Sequence, residues 1–209
     1  MPNWCSNSIT VRGSQQREIN RLVEAFKAGE FCNAVIPIPE ELQNPATGSF
    51  GGEDAEAKDK LREQLTAKYG YSGWYDFCTG RWGTKWDVGG DDSSIDVNPD
   101  GLQFIAHFES AWAPPIGVYE ALVEQGLEVE AYYYECGMGF AGHWDNGIDD
   151  CVSDIGTLTP DEIRENYPEI DEHFGISDQL EEMREEELMQ DDLYRWTKEG
   201  GEKLELVNS

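Results

Sequence analysis

Alternating apolar and polar residues predict three strands in the first two thirds of the chain. The alternation covers residues 8–12, 102–108 and 127–134, where every second side chain is mostly apolar. Because the side chains of a strand point alternately to its two faces, each of these strands would bury one face. Apolar residues at helical spacing predict a helix between Ser14 and Gly29 and another over residues 116–125.

A long segment between the first helix and the second strand has no such alternation. Residues 31–42 contain Pro37 and Pro39, which exclude a central strand and predict an extended edge or crossing segment. A charged surface helix is expected at about residues 53–69. Residues 89–101 are rich in glycine and aspartate, which indicates a polar turn.

With a fourth strand assumed in the long segment between the first helix and the strand at residues 102–108, the predicted order is strand, helix, strand, strand, helix, strand. This is the split βαβ, or ferredoxin-like, plan of the α+β class. Two helices would cover one face of an antiparallel sheet and leave the other face for binding or for extra segments. The predicted domain covers residues 1–147, with a helical insertion at about 30–84. Residues 148–209 are predicted to form an acidic helical extension, which begins with a capping box at Thr159 and Glu162.

The charge of the chain narrows the possible partners. The formal net charge is −28, from 43 acidic and 15 basic residues. DNA, RNA and anionic membranes would repel such a protein, whereas basic surfaces would attract it. No apolar run approaches the roughly 18 residues of a membrane-spanning helix. The five cysteines are far apart and the first residues are unlike a secretion signal, so reduced thiols in a cytoplasm are expected.

Acidic residues are densest over residues 181–192, which hold seven acids and one arginine. On a helix that rises ~1.5 Å per residue this is one net charge per ~3 Å, near the ~3.4 Å spacing of charges along one DNA strand. The segment suggests a DNA-mimicking surface that binds a basic partner. A solubilising tail and adaptation to salt are the alternatives. The residues of this acidic surface are Glu181, Glu182, Glu185, Glu186, Glu187, Asp191 and Asp192.

Aromatic residues near a lysine and a glutamate suggest a ligand pocket in the first domain. Aromatic walls and a Lys–Glu pair would orient the ligand. The alternative, which is the commoner role of tryptophan, is that these rings fill the core with their N–H groups bonded to the backbone. The residues of the candidate pocket are Asn3, Trp4, Trp82, Lys85, Trp86, Trp112 and Glu135.

Other motifs indicate neither catalysis nor a bound cofactor. Residues 137–142 fit the dinucleotide pattern G-x-G-x-x-G, but no helix is expected to open there, so a structural turn is predicted. His107 and His143 have no triad or zinc-protease spacing around them. The aspartates at 91–92 and 149–150 lack the spacing of a calcium loop and indicate solvated turns. No catalytic residue, metal or cofactor is therefore expected.

Five short motifs occur in a fixed order within residues 1–147. They are MPNWCSN at 1–7, IPIPEEL at 36–42, WGTKWD at 82–87, FESAWAPP at 108–115 and YECGMGFAG at 134–142. Together they resemble the YubB-like ferredoxin-fold family of bacteriophages and conjugative plasmids. The resemblance implies a ferredoxin-like fold and a place in a bacterial cytoplasm, and it implies no activity and no site residues.

Taken together, charge and resemblance favour a non-enzymatic binding protein of a phage or plasmid. Its expected partner is a basic host protein, such as a nucleic-acid-binding defence component, which it would inhibit through the DNA-mimicking surface. Direct binding to nucleic acid or to a membrane is not expected. A second hypothesis is a small-ligand or nucleotide-binding or processing domain that uses the Trp/Lys/Glu pocket. A third is a structural or accessory phage protein.

Overall fold

A computed structural model describes residues 3–43 and 55–198, which form a mixed α+β protein. One six-stranded antiparallel sheet has the strand order β2-β3-β1-β4-β5-β6. Its strands are β1 (Trp4–Arg12), β2 (Ser94–Val97), β3 (Gln103–Ala111), β4 (Glu128–Glu135), β5 (Phe140–Asp145) and β6 (Ile148–Val152).

The chain divides into two compact units, at residues 1–155 and 156–209. The helices of the first unit are α1 (Gln16–Lys27), α2 (Phe31–Val35), α3 (Ala55–Tyr69), α4 (Trp74–Phe77) and α5 (Ile116–Glu124). A π-helical turn, Cys78–Trp82, follows α4 directly. The second unit contains α6 (Pro160–Asn166), α7 (Pro168–Phe174) and α8 (Ile176–Lys198), and α6 begins with the predicted capping box.

Helices α1 and α5 pack on the buried face of the sheet. Phe26 of α1 meets Phe108 of β3 edge-on, with ring centroids 5.8 Å apart. Tyr119 of α5 donates its hydroxyl to Oδ1 of Asn7 on β1, at 3.1 Å. Nδ2 of this buried asparagine donates to the carbonyl of Cys5 and to Oγ of Ser110, at 2.7 and 2.8 Å. Both ends of the amide are thus satisfied, so the polar side chain joins two strands and a helix without an unpaired atom.

Residues 31–35 form a helix instead of the predicted extended segment. Phe31, Cys32 and Val35 are buried at helical spacing. The carboxylate of Asp87 accepts the backbone N–H groups of Cys32 and Asn33 in the first turn, at 2.6 and 3.0 Å. This helix depends on a cap that is distant in the sequence, which a local pattern cannot reveal.

The second strand of the sheet lies within the segment that the sequence predicts as a polar turn. Residues 94–97 form β2 and pair with β3, with Ile95 opposite Ala106. Ile95 and Val97 alternate with polar residues, but Ile95 is only half-buried and Val97 is exposed, so the apolar face of this edge strand is short and weak. Backbone pairing with β3 defines it instead.

The first unit extends past residue 147 because a further hairpin adds two strands to the sheet. Strands β5 and β6 pair around a turn at Asn146 and Gly147, which have φ values of 46° and 103°. Trp144 of β5 is buried and contacts Tyr119, with ring centroids 5.6 Å apart. Among residues 3–43 and 55–198, no helix has the length and apolar character needed to cross a membrane.

Thiol reactivity is expected to divide the five cysteines into two groups. Cys136 and Cys151 are exposed, whereas Cys5, Cys32 and Cys78 are buried. Burial raises the pKa of each buried thiol, to about 12 for Cys78, and the thiolate is the reactive form. Titration of the native protein with a chromogenic disulfide should modify two thiols, and denaturant should release the other three. Rapid modification of a third thiol without denaturant would contradict the placement of the buried group.

Candidate functional site

The candidate site lies at one end of strands β1 and β3. Trp4 begins β1 and is paired in register with Ala111 of β3. The hydroxyl of Thr84 donates to the carbonyl of Ala111 and accepts its N–H, at 3.1 and 3.0 Å. Because Thr84 is fully buried, it anchors the loop that follows the π-helical turn. This places Trp86 beside Trp4 and Lys85 over the ring of Trp86.

Asp87 anchors the other end of this loop. Besides its two bonds to the first turn of α2, its carboxylate accepts the N–H of Val88 at 2.9 Å. Burial raises the pKa of the Asp87 carboxyl, and the three N–H donors oppose that shift. The unpaired N–H groups and the dipole at a helix start favour a carboxylate there. Asp87 therefore fixes the loop against α2.

Four exposed aromatic side chains meet here, and we call Trp4, Tyr75, Trp86 and Trp112 the aromatic cluster. The ring centroids of Trp4 and Trp86 are 5.8 Å apart, and those of Tyr75 and Trp112 are 6.3 Å apart. Each side chain is between 38% and 47% exposed. Single exposed apolar residues are ordinary, but large aromatic residues gathered in one patch are typical of binding surfaces.

Lys85 joins the two ring pairs of the aromatic cluster. Its ammonium nitrogen lies 4.5 Å from the ring centre of Trp86, 5.3 Å from that of Trp112 and 5.7 Å from that of Tyr75. Among the described residues, no carboxylate lies within 4.0 Å of this nitrogen, although the protein is highly acidic. Cation–π attraction to three rings therefore holds the lysine and orders the rings around it.

Trp112 has an unfavourable backbone conformation. Its φ is 72°, in the left-handed region that costs a residue with a side chain roughly 1–2 kcal/mol. Its N–H donates to the carbonyl of Asn3 at 2.9 Å, which helps to fix this conformation. Burial of the indole does not offset this cost, because Trp112 is 40% exposed. Strain of this kind is concentrated at functional sites, so Trp112 makes the aromatic cluster a candidate for one.

Two substitutions of Trp112 separate the backbone strain from the ring contacts. Both Trp112→Gly and Trp112→Ala remove the indole, but only glycine adopts a φ of 72° without a clash of its side chain. The glycine variant is expected to be the more stable by about 1 kcal/mol in urea denaturation. An alanine variant that matches or exceeds the glycine variant in stability would show that no strain is stored there.

Two cavities open beside Trp86 and Asp87, which line both of them. The acidic cavity has a volume of about 380 Å³, and its walls include Trp4, Asp92 and Glu109. The lysine cavity has a volume of about 450 Å³, and its walls include Glu30, Trp74, Trp82 and Lys85. Both volumes fall within the roughly 300–1,000 Å³ of small-ligand sites.

The structure brings together part of the pocket expected from the sequence. Asn3 adjoins Trp112 through its carbonyl, but Trp82 is a core residue and only 2% exposed. The indole Nε1 of Trp82 donates to the carbonyl of Ile36 at 2.9 Å, as in the core alternative. The expected pocket residues that share one surface are Trp4, Lys85, Trp86 and Trp112.

Glu135 does not form the expected pair with Lys85. Its buried carboxylate accepts the backbone N–H groups of Gly137 and Met138, at 2.8 and 2.6 Å. These donors belong to the turn between β4 and β5, and β5 begins at Phe140, so the glycine-rich stretch is a hairpin turn with no helix opening in it. The Glu135 carboxylate thus bonds the N–H groups of its own turn and is not available to pair with Lys85.

Three residues of the site are absent from the pocket expected from the sequence. Tyr75 belongs to the aromatic cluster, and Asp92 lies in the segment predicted as a solvated turn. Glu109 alternates with the buried Phe108 along β3, so its outward direction is implied by the strand pattern. The hydroxyl of Ser6 donates to Oε1 of Glu109 at 2.7 Å. Only the folded chain shows that Asp92 and Glu109 share a cavity.

One face of α8 is acidic. Asp178, Glu181, Glu182 and Glu185 follow helical spacing and are exposed. Arg164 of α6 neutralises part of this face through ion pairs with Asp178 and Glu181, at 2.9 and 2.7 Å. Its hydrogen bond holds the pKa of the Glu181 carboxyl below the usual value. Arg164 thus compensates the start of the acidic face.

The structure describes the side chains of some, but not all, of the other acidic residues expected to bind a partner. Glu182, Glu185 and Glu186 are exposed, and within the described residues no cation lies within 4.0 Å of them. The side chains that lie outside the described part of the structure are Glu187, Asp191 and Asp192. In the described ranges, no three His, Cys, Asp or Glu residues are grouped to hold a metal ion.

No family model matches the chain, and no curated protein matches its sequence. A solved structure similar to this one is that of protein api92 from Yersinia pseudotuberculosis, of the DUF1281 family. The TM-score is 0.38 at 11% sequence identity, and the match covers 73% of this chain and 98% of that chain.

Proposed function

We propose that the protein is a non-enzymatic binding protein of a phage or plasmid, and that its partner is a basic, nucleic-acid-handling protein of the bacterial host. The observation that carries the proposal is the exposed aromatic cluster, ordered around Lys85 and strained at Trp112. Tryptophan and tyrosine are the residues that most often dominate the binding energy of protein interfaces. A rigid group of them on the surface is suited to anchor a partner.

The charge around this anchor supports a basic partner. Asp92 and Glu109 border the aromatic cluster, and the chain as a whole has a net charge of −28. Complementary charge accelerates association and selects the partner. On the second unit, Glu182, Glu185 and Glu186 offer exposed carboxylates that compete for the cationic groups with which the partner binds nucleic acid. Inhibition by a DNA-mimicking surface in the bacterial cytoplasm is consistent with this arrangement.

The finer fold assignment belongs to the same proposal. Strands β2, β3, β1 and β4 are adjacent in the order of a split βαβ fold, with α1 after β1 and α5 before β4. This order supports a ferredoxin-like domain, extended by the β5–β6 hairpin. Helices α6 to α8 with their excess of acids support the proposed acidic helical extension.

Capture from a bacterial lysate tests the proposed function. The tagged full chain is incubated with a nuclease-treated lysate, and the retained proteins are identified by mass spectrometry. We expect basic nucleic-acid-binding proteins that duplex DNA displaces, and that are lost when Trp86→Ala and Trp112→Gly are combined. The control is Ile148→Ala, which removes an exposed apolar side chain from β6, away from the aromatic cluster. The proposal would be contradicted by retained proteins that are not basic. It would also be contradicted by proteins that duplex DNA does not displace and that the double variant still retains.

Neutralisation of the acidic helix face tests the contribution of charge. Combining Glu182→Gln, Glu185→Gln and Glu186→Gln removes three exposed charges that form no ion pair with a cation in the described part of the chain. The captured partner should bind more weakly, and its affinity should depend less on salt concentration. An unchanged salt dependence would exclude DNA mimicry by α8 and leave the aromatic cluster as the anchor.

Small-ligand binding is a second candidate function because both cavities have the volume of a ligand site. A ligand at a concentration of 100 Kd would stabilise the folded protein by about 2.7 kcal/mol and raise its melting temperature. Screening a panel of nucleotides and metabolites by thermal shift tests this candidate. A hit that is lost in Trp86→Ala would favour it, and a panel without hits would disfavour it.

A further inference from the structure

We infer that the acidic cavity receives an arginine side chain of the partner. This inference rests on the proposed function, since it names the chemical group that the site of that function recognises. The cavity combines an exposed indole with carboxylates, and a guanidinium is the protein group that both stacks on aromatic faces and pairs with carboxylates.

The geometry of the two indoles decides where a ligand group lies. Trp4 and Trp86 are tilted by 38° with centroids 5.8 Å apart. A flat group placed between two rings needs about 7 Å, twice the ~3.5 Å of a carbon contact. Nothing therefore inserts between them, and a planar group stacks on Trp4 from the cavity side. Trp4 is the most exposed ring of the aromatic cluster, at 47%.

Two carboxylates are placed to meet the edge of a stacked guanidinium. Glu109 and Asp92 both line the cavity, and none of the described lining residues is Lys or Arg. Oε1 of Glu109 accepts the hydroxyl of Ser6, and within the described residues no hydrogen bond reaches its Oε2. Asp87 also lines the cavity, but its carboxylate is already engaged by three backbone N–H groups. Glu109 and Asp92 are thus the groups that recognise the cation.

Lys85 shows that the rings of this site favour a cation, yet it does not fill the acidic cavity. It lies over Trp86 and lines the lysine cavity instead. The acidic cavity therefore keeps its negative potential, and Trp4 keeps its open face. The planar guanidinium group suits this arrangement better than an ammonium group, which neither stacks on a ring nor pairs with two oxygens in one plane.

The test uses small blocked amino acids as probes of the purified full chain, at constant ionic strength. N-acetyl-arginine methylamide is titrated while the indole N–H resonances are followed by NMR. The lysine and citrulline analogues are titrated in parallel, because citrulline has the shape of arginine without its charge. We expect saturable shifts at Trp4 and Trp86 and none at Trp144, which is buried elsewhere. The arginine probe should bind at least about threefold more tightly than the lysine probe, and citrulline should not bind.

Matched variants test whether the two carboxylates bind the arginine probe. Asp92→Asn and Glu109→Gln should each weaken the arginine probe by about threefold, the usual size for an exposed charge pair. Asp91→Asn removes the same charge one residue away, outside the cavity lining, and should leave the affinity unchanged. Trp4→Ala should abolish the response, and Trp4→Phe should retain part of it if the fold is intact.

Three results would overturn the inference. They are the absence of a saturable shift, an equal response to citrulline or lysine, and equal effects of Asp91→Asn and Asp92→Asn. The proposed function fails on a separate result, namely that the captured partner binds equally well after Trp86 and Trp112 are replaced. A partner that depends on the aromatic cluster while the arginine probe does not bind would leave the function standing and refute the arginine site.

Discussion

Replacing Trp82 with alanine is expected to lower the free energy of unfolding by about 3–5 kcal/mol, whereas Trp86→Ala is expected to lower it by about 1 kcal/mol. Trp82 is 2% exposed and packs against Phe77, with ring centroids 6.5 Å apart. Its loss would leave a cavity and remove the N–H that bonds to the carbonyl of Ile36. Trp86 is 38% exposed, so its loss removes a ring contact with Trp4 and a cation–π contact but creates no interior cavity.

Urea denaturation followed by circular dichroism measures this difference between two tryptophans four residues apart. Trp82→Phe serves as the control, because it keeps most of the buried volume and should lose less than the alanine variant. Equal losses for Trp82→Ala and Trp86→Ala would contradict the division of the tryptophans into core and surface. Trp82 and Trp86 would then again belong to one group, as in the pocket expected from the sequence.

Gly117→Ala is expected to destabilise the protein by about 2–3 kcal/mol, opposite in sign to the usual effect of alanine in a helix. Glycine to alanine in a helix ordinarily stabilises by up to about 1 kcal/mol. At Gly117, however, an added Cβ would lie 2.1 Å from the carbonyl oxygen of Arg81. The obstacle is backbone, so either α5 or the π-helical turn must move.

The same displacement should reach the candidate site, because Arg81 is followed by Trp82, Thr84 and the loop that carries Trp86. We therefore expect the indole N–H resonance of Trp86 to shift in Gly117→Ala. Gly156→Ala is the matched control, since no atom lies within 4 Å of a Cβ at that position. A Gly117→Ala variant as stable as the wild type would show that α5 does not approach the turn so closely.

Local sequence patterns predict the elements whose buried face is continuous. The strand at residues 8–12 is the C-terminal half of β1, and helix α1 has its apolar residues at the predicted spacing. The pattern fails at β2 and α2 because each offers only two or three apolar residues, which are too few to establish a period. Strand β2 is held by backbone bonds to β3, and α2 by the carboxylate of Asp87. Such contacts between distant residues are not visible in a local pattern.

The candidate site is predictable only in its composition. Residue types identify Trp4, Lys85, Trp86 and Trp112 as a group, but they do not distinguish them from Trp82. Burial of an indole depends on what packs against it, and the left-handed φ of Trp112 depends on the chain path at the end of β3. The acidic walls come from a loop and a strand that meet only in the fold.

The most direct test of the aromatic cluster as the binding surface is the affinity of the captured basic protein for matched variants of the full chain. A dominant interface aromatic contributes at least about 2 kcal/mol, and such contributions are not additive. The combined Trp86→Ala and Trp112→Gly variant should therefore weaken binding by at least the ~30-fold of one such residue. Ile148→Ala should stay within about twofold of the wild type, as expected for a residue outside the interface. A double variant that binds as tightly as the wild type, measured by calorimetric titration, would contradict this role of the aromatic cluster.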